Sequence, residues 1–486
     1  MSTPEFPQDT LDAILRRMFF VPLRFGVATC ILMGWSVSVG WSQNAEYSPY
    51  SRFGFGLVGT LQTPVSAGLG GMESVMFSNY QFNPNNPATA SALGQTTLQA
   101  SGTSTSLSMR DGTASNAKAL YGSAGPIGLA IKKQGGSNTL IIGASPFSNS
   151  GYAITRTQEI DGIGTVQERY DGSGGLTKAH IGWAHTIKNK GYVSAGPNDS
   201  ILIQKSVLHT GIQTQYLFGE VTRTAILDVV DVTFLDHRAR VESQHRSLSA
   251  NIGVIYDHLL YAKYKGSQSF EKSASMRFGL LYTPQSNLRS EFLSIDETTQ
   301  NLGGIDIPLD TAFFDSSDKS RAHMPASWTT GMSLMFNHAN GRRLAFGVEY
   351  GETHWEKASE SFDSYLIVDD MQWIRSSVSR ASLEWTPGNA DRHHPTWGKG
   401  TYRLGISRVI QPYEISGSPI VANTVSGGFS IPLVGSRSLS RLHFGMEIGE
   451  RSAGDGSLEE IYTRLHIGFS LMPFFKNNWL KERLYD

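Results

Sequence analysis

The sequence predicts an all-β fold, a transmembrane antiparallel β-barrel with an N-terminal hatch or plug segment. Three observations lead to this prediction. Apolar and polar residues alternate in the last third of the chain, glycine is abundant at 51 residues, and no apolar run after residue 43 reaches the roughly 20 residues of a spanning helix. Only helices and closed sheets satisfy every backbone group in lipid, so a membrane-embedded mature chain must be a closed barrel.

Composition excludes several classes of protein. Apolar residues are 40 % and charged residues 17 % of the chain, against about 45 to 50 % and about 25 % in typical soluble domains. These values disfavour a charged disordered chain and a helix-rich enzyme. The formal net charge of −1 gives no basic surface for nucleic acid, and no such partner is expected.

Residues 1–42 are predicted to be a cleaved signal peptide. Three arginines precede a mainly apolar run over 25–41, and small residues lie before the predicted cleavage after Ser42. A segment of ordinary signal length begins at Met18, which is an alternative start of translation. A membrane anchor is the alternative interpretation of the apolar run. Cys30 is the only cysteine, so the mature chain is expected to have no disulfide and no thiolate chemistry.

Period-two alternation predicts wall strands across 96–472, followed by a C-terminal tail at 473–486. Near the end of the chain, Leu442, Phe444, Met446 and Ile448 alternate with His443, Gly445, Glu447 and Gly449. A soluble β-sandwich also alternates, but glycine weakens a strand unless something approaches it closely. A glycine-dense polar face therefore favours a barrel whose lumen holds a plug or a ligand.

Segment lengths suggest roughly 12 to 16 strands, with even numbers preferred in bacterial barrels. Polar stretches at 188–206, 285–323, 352–370 and 386–399 are predicted to be surface loops. Residues 43–95 are rich in proline, glycine and asparagine and have weak periodicity. They are predicted to form a compact hatch or plug, or else a periplasmic lead-in.

Several short motifs occur in a characteristic order. They are SPYSRFGFG at 48–56, NPNNPA at 83–88, GASPFSNSGY at 143–152, MPASWTTG at 324–331 and the closing KNNWLKERLYD. With these motifs in this order, the chain resembles the long-chain fatty-acid outer-membrane transporter (FadL) superfamily, in its divergent Bacteroidetes-type branch. The resemblance implies a barrel of about 14 strands, plugged by an N-terminal hatch, that moves hydrophobic molecules through a lateral opening in the wall.

The candidate ligand and gate residues lie in two of these motifs. They are Asn83, Asn85, Asn86, Pro87, Pro146 and Gly151. The first four belong to the block that resembles the family's hatch. Pro146 cannot donate to a strand ladder and Gly151 tolerates unusual backbone angles, so a strand containing them is expected to be interrupted, as a lateral exit requires. A plain turn between two strands is the alternative.

A polar network is predicted inside the barrel near its last two strands. Its members are Arg441, His443, Glu447, Arg464 and His466. A metal needs three or four convergent ligands, and the pattern does not supply them, so no metal is expected. No nucleophile elbow of the form G-x-S-x-G occurs. We therefore expect no catalytic residues, no cofactor and no enzyme activity.

The expected location is the bacterial outer membrane, and the expected partners are its lipid bilayer and hydrophobic small molecules. The leading functional hypothesis is gated, lateral passage of such molecules. The alternative is a non-transporting barrel that serves as a subunit or cargo shuttle of an envelope secretion or assembly complex. In that case the segments 285–323 and 352–370 would be its docking sites.

Overall fold

The protein is a β-barrel that closes on itself. The computed structural model describes residues 48–59, 62–111, 116–196, 199–229, 234–265, 269–302, 305–362, 371–388, 396–433, 440–454 and 458–472. The strands are β1 (Leu57–Val58), β2 (Thr97–Asp111), β3 (Asn116–Lys132), β4 (Asn138–Asn149), β5 (Tyr152–Ile160), β6 (Gly164–Gly196), β7 (Asp199–Val229), β8 (Asp236–Lys265), β9 (Ser269–Thr283), β10 (Ser286–Leu302), β11 (Ile305–Met324), β12 (Ser327–His338), β13 (Arg343–Thr353), β14 (Met371–Trp373), β15 (Ser376–Thr386), β16 (Thr401–Ile415), β17 (Ser418–Pro432), β18 (Arg441–Ser452) and β19 (Leu458–Leu471). Short helices are α1 (Pro64–Ala67), α2 (Trp355–Ser359) and the 3₁₀ helices Pro49–Arg52, Pro87–Ala92 and Thr396–Lys399.

Fourteen antiparallel strands make the wall. Their order is β2, β3, β4, β6, β7, β8, β9, β12, β13, β15, β16, β17, β18 and β19, and β19 pairs with β2 to close the ring. After short breaks β4 continues into β5 and β9 into β10, while β11 and β14 lead into β12 and β15. The predicted closed barrel of about 14 strands is therefore confirmed.

The wall is apolar outside and polar inside. Exposed outward side chains include Ile181, Ile212, Ile252, Leu280, Phe346, Leu404, Val425, Met446 and Leu465. The residues beside them on the same strands turn inward and are buried, among them Gln213, Glu349, Arg403 and Glu447. This arrangement is typical of a barrel in lipid with a polar lumen. Among the described residues, no helix is long and apolar enough to cross a bilayer.

The barrel has two different ends. The terminal rim is the end where β2 starts and β19 finishes, since Leu98 pairs with Leu471 there. The opposite end, the distal rim, is uneven. Strands β5, β6, β7, β8, β10 and β11 continue past it as a raised sheet in which β10 pairs with β8 and β11.

Two of the four segments predicted to be surface loops are strands instead. Residues 188–206 belong to the hairpin of β6 and β7, and 285–323 is occupied by β10 and β11. In 188–190 and in 307–314 every residue is exposed, so these parts lack the apolar–polar alternation that lipid imposes on a wall strand. The described parts of 352–370 and 386–399 contain short helices instead. The predicted signal peptide and tail lie outside the described residues.

Candidate functional site

Residues 48–59 and 62–95, here called the plug, lie inside the barrel. Their apolar side chains are almost completely buried, with Phe55, Leu57 and Val75 at 0 % exposure. The helix α1 starts at a proline, and the side chain of Thr63 accepts the N–H of Ser66 as its cap. The segment therefore has little regular structure of its own and depends on the wall for its shape.

Inward-facing glycines let the plug backbone lie against the wall. A Cβ on Gly405 of β16 would lie 2.1 Å from the Gly70 nitrogen, and one on Gly253 of β8 would lie 2.2 Å from Asn86 Oδ1. Real Cβ atoms do not come that close to other atoms. The glycine-dense inner face, which in the sequence favoured an occupied lumen, is explained by close contact with the plug.

The asparagines of the 83–88 block shape a turn within the plug. Asn83 Oδ1 accepts the N–H of Asn85, and Asn86 Oδ1 accepts that of Ala88 to cap the following 3₁₀ helix. Asn85 Nδ2 donates to Glu73 Oε1 at 2.8 Å, and Asn86 Nδ2 donates to the Glu73 carbonyl at 3.0 Å. The turn is thus hydrogen-bonded to Glu73, which follows α1 in the sequence.

Wall side chains hold this turn from the other side. Gln213 of β7 donates to the Pro84 carbonyl at 2.8 Å, and Asn251 of β8 donates to the Asn85 carbonyl at 3.0 Å. A Cβ on Gly211 would lie 2.5 Å from the carbonyl carbon of Pro87. Of the predicted gate residues, the asparagines and Pro87 therefore form the contact of the plug with β7 and β8.

A buried carboxylate of the wall clamps the plug near its middle. Glu349 of β13 accepts the N–H groups of Glu73 and Ser74 at 2.9 and 2.6 Å and the Ser74 hydroxyl at 2.6 Å. Its other oxygen accepts from Arg380 of β15 at 2.6 Å. The side chain of Glu349 is completely buried, and buried charges are stable only when they are paired and hydrogen-bonded in this way.

Glu73 lies beside this clamp. Burial raises the pKa of the Glu73 carboxyl above its ordinary value, and the guanidinium of Arg380 opposes that rise. The pKa is thus higher in the seated plug than in an unfolded chain. The contribution of Glu73 to the seated plug is therefore largest at low pH and is lost as the pH rises through the raised pKa.

The wall has a gap between β3 and the line of β4 and β5. Strand β3 pairs with β4 only from Ile127 to Lys132, and β5 pairs only with β6 within the described chain. The part of β3 before Ile127 lies at the same height in the wall as the lipid-facing part of β19. The strand register shows this, because Leu120 pairs with Ser106 of β2 and Ser106 pairs with Thr463 of β19. We call this opening the wall gap.

The plug closes the wall gap with its own strand. In β1, Leu57 pairs with Asn149 and Val58 with Ser148, on the edge of β4 that faces β3. Pro146 lies at a bulge in β4, and β5 begins after Gly151. The Gly151 carbonyl accepts the Ser48 N–H at 2.9 Å. Strand β4 is thus bulged at Pro146 and ends before Gly151, and the chain at Gly151 is hydrogen-bonded to the plug.

A cavity of about 290 Å³ joins the two groups of predicted gate residues. Its lining includes Asn85 and Glu73 from the plug and Pro146, Lys178 and Arg380 from the wall. Gly151 is not part of that lining. The cavity therefore connects the asparagine turn to the wall gap at Pro146, while Gly151 fixes the start of the plug.

The predicted lumen network forms two clusters. In one, Glu447 Oε2 lies 3.2 Å from His466 Nε2 and 3.6 Å from Arg464 Nη1. In the other, His443 contacts Ser430 and Ser470 at 2.7 and 3.0 Å and stacks on Tyr80 of the plug.

The second cluster is a further anchor of the plug. Arg441 lies 4.2 Å from the centre of the Tyr80 ring, and Arg403 donates to the Tyr80 hydroxyl at 2.7 Å and to Glu384 at 2.9 Å. Sequence reasoning missed Arg403, Glu384, Glu349 and Arg380. The available signal was their inward position on alternating strands. No group of three His, Cys, Asp or Glu side chains suited to a metal occurs in the described ranges.

One protein-family model matches both the plug and the wall. The model of the BamG family matches residues 24–486, which is nearly the whole chain. The chain belongs to the BamG family. A search of curated protein sequences finds no match to this chain.

Several solved structures are similar to this BamG protein over most of their length. One is the "CymD monoaromatic hydrocarbon channel", at 13 % identity over 84 % of this chain and 97 % of that one, with a TM-score of 0.44. Another is a Pseudomonas aeruginosa FadL homologue, at 10 % identity over 85 % and 98 %, with a TM-score of 0.44. A third is the P. putida toluene transporter TodX, at 12 % identity over 86 % and 97 %, with a TM-score of 0.45. The second of these structures is named for the superfamily that the sequence motifs resemble.

Proposed function

We propose that this BamG protein passes hydrophobic small molecules across the bacterial outer membrane through the wall gap, with the plug as its gate. The observation that carries the proposal is the wall gap itself, which is filled by a two-residue strand of the plug. An unpaired strand edge in lipid is costly because its backbone groups have no partners. We therefore interpret the edge of β3 at the wall gap as one side of a lateral opening.

An aromatic cluster links the distal rim to that strand. Trp355 of α2 and Phe362 pack against Phe55 of the plug, with ring centres 6.0 and 5.6 Å apart. Trp373 stacks on Trp355 at 5.2 Å. Phe55 is two residues from the start of β1. An apolar ligand captured among these rings would be bound by burial of its surface and would displace Phe55, which draws β1 away from β4.

The route then follows the cavity. With the signal peptide removed and the terminal rim in the periplasm, a ligand enters at the distal rim, passes the asparagine turn and leaves at Pro146. Displacement of the turn breaks its bonds to Gln213 and Asn251. These residues position the plug, and no catalytic step or cofactor takes part.

A disulfide that fixes β1 to β4 is expected to block uptake. Val58 and Ser148 are directly opposed partners, and opposed antiparallel residues lie within disulfide range. In a Cys30→Ser background, Val58→Cys with Ser148→Cys should reduce uptake of toluene, alkanes or fatty acids into liposomes by at least about tenfold, a barrier increase of about 1.4 kcal/mol. A reductant should restore it.

The matched control is a crosslink that leaves the plug free. Val425→Cys with Ile448→Cys joins two opposed wall residues on the lipid face and should not affect uptake. Equal uptake by the oxidised and reduced β1 crosslink would rule out the lateral route. No uptake of any of these ligands by the uncrosslinked barrel would remove the transport proposal as a whole.

A second candidate function is a subunit or cargo shuttle of an envelope protein complex. The raised sheet favours it, because residues 307–314 of β11 are all exposed and include Leu309, Phe313 and Phe314 at 53 %, 49 % and 63 %. Exposed apolar edge strands are normally covered by a partner. The predicted docking segment 285–323 would then act as a hairpin of β10 and β11.

Removing the two aromatic side chains is expected to release such a partner. Phe313→Ser with Phe314→Ser should lower co-purification from mild detergent by at least about thirtyfold, since an anchoring aromatic residue contributes about 2 kcal/mol. Tyr192→Ser removes an aromatic side chain that is 73 % exposed on β6 and serves as the control. Stoichiometric partners that persist in the double variant would contradict docking on β11.

A further inference from the structure

A second cavity lies at the terminal rim, between the plug and the wall. We call it the rim pocket. It has a volume of about 530 Å³ and is bounded on the plug side by residues 77–79 and 91–94. Lys132, one of its wall residues, is the last residue of β3, which pairs with the start of β2. The rim pocket is therefore distinct from the cavity at the wall gap.

Five charged side chains lie on the wall side of the rim pocket. Lys132, Lys188, Arg277 and Arg343 line it, and Asp257 is the carboxylate among its described lining residues. Asp257 is already engaged, because Arg277 Nε donates to it at 2.6 Å. The pocket is thus strongly positive.

The carboxylate nearest to Arg343 is shared. Arg343 Nη2 lies 3.4 Å from Glu384 Oε1, while the other oxygen of Glu384 accepts from Arg403 at 2.9 Å. Arg343 Nε is buried and has no hydrogen-bond acceptor among the described residues. A buried N–H of a guanidinium without an acceptor is costly, so the described side chains compensate the guanidinium of Arg343 incompletely.

The two lysines have no carboxylate partner in the described part of the chain. Lys132 Nζ donates to the Ser91 carbonyl of the plug, and Lys188 is exposed to solvent. Like charges in one pocket repel each other. An anion between them would remove that repulsion and would form short, charge-assisted hydrogen bonds.

We infer that the rim pocket binds a phosphate group carried by a small organic molecule or a lipid headgroup. Lysine ammonium and arginine guanidinium groups are the common phosphate ligands of proteins. The volume fits a small molecule rather than a bare ion, since small-molecule sites begin at about 300 Å³. Because Ser91 and Phe77 belong to the plug, bound phosphate stabilises the seated plug.

Thermal unfolding of the purified full chain tests this inference. Glycerol phosphate should raise the Tm at fixed ionic strength, because a ligand that binds only the folded state stabilises it. Loss of one charge-assisted bond in Lys188→Gln should weaken binding at least about tenfold, and Lys188→Arg should retain it. Lys272→Gln, which removes an exposed lysine from β9 outside the pocket, should bind as the unmodified protein does.

The source of the phosphate is resolved by a second probe. Vesicles of phosphatidylglycerol that raise the Tm where glycerol phosphate does not would identify a lipid headgroup, and a response to both would identify the phosphate group itself. Absence of a Tm response to either probe would overturn the inference, as would equal weakening by Lys188→Gln and Lys272→Gln. Uptake of hydrophobic molecules is not part of this readout.

Discussion

Glu349→Ala is expected to unseat the plug and make the barrel permeable to small solutes. The substitution removes three hydrogen bonds to Glu73 and Ser74 and leaves Arg380 buried without this partner. Breaking a buried ion pair destabilises a structure by about 3 to 5 kcal/mol, and each 1.4 kcal/mol is tenfold. The unseated fraction should therefore rise by about a hundredfold or more.

Solute flux into liposomes measures this release. Glu450→Ala is the matched control, because Glu450 lies on the exposed face of β18, where its carboxylate accepts from Asn423. That variant should conduct no better than the unmodified barrel. A Glu349→Ala barrel that folds and remains as impermeable as the control would show that the clamp does not hold the plug.

Gly405→Val is expected to push the plug off the wall by steric contact alone. The added Cβ would lie 2.1 Å from the Gly70 nitrogen and 2.4 Å from the Leu69 carbonyl carbon. Both are backbone atoms, so no side-chain rotation relieves the clash. Overpacking of this kind usually costs about 1 to 3 kcal/mol, and the loss should fall on the plug, which has fewer strand ladders than the wall.

Limited proteolysis of the folded barrel reports the displaced plug. Cleavage within the plug should become faster in Gly405→Val while the wall stays resistant. Gly427→Val on the adjacent strand β17 is the control, since a Cβ there meets its nearest neighbours at 3.7 Å. Equal cleavage of the two variants would contradict the close contact between Gly405 and Gly70.

The membrane wall was predictable because lipid imposes a pattern on it. The alternation around Met446 and Glu447 reflects an apolar outer face and a polar lumen, and β18 and β19 show it over their full length. The raised sheet was not predictable in this way. In 307–314 of β11 every residue is exposed, so apolar and polar residues occur there without period.

The candidate site was predictable in part. Proline and asparagine marked the turn at 83–88 and the break at 146–151, because these residue types have strong backbone preferences. The clamp between Glu349 and Ser74 was not predictable. The two residues are 275 positions apart, and no local sequence pattern links them. Which inward carboxylate meets which plug N–H depends on the register of the whole barrel.

The contact between Ser48 and the last strand has a consequence for the order of folding. Ser48 Oγ donates to Glu460 Oε1 at 2.5 Å, across 412 positions of the sequence. Arg451 binds the same glutamate at 2.9 Å. Contacts of such separation form late, because the intervening chain must first be ordered. The plug is synthesised before the wall strands, yet this contact can form only after β18 and β19 are in place.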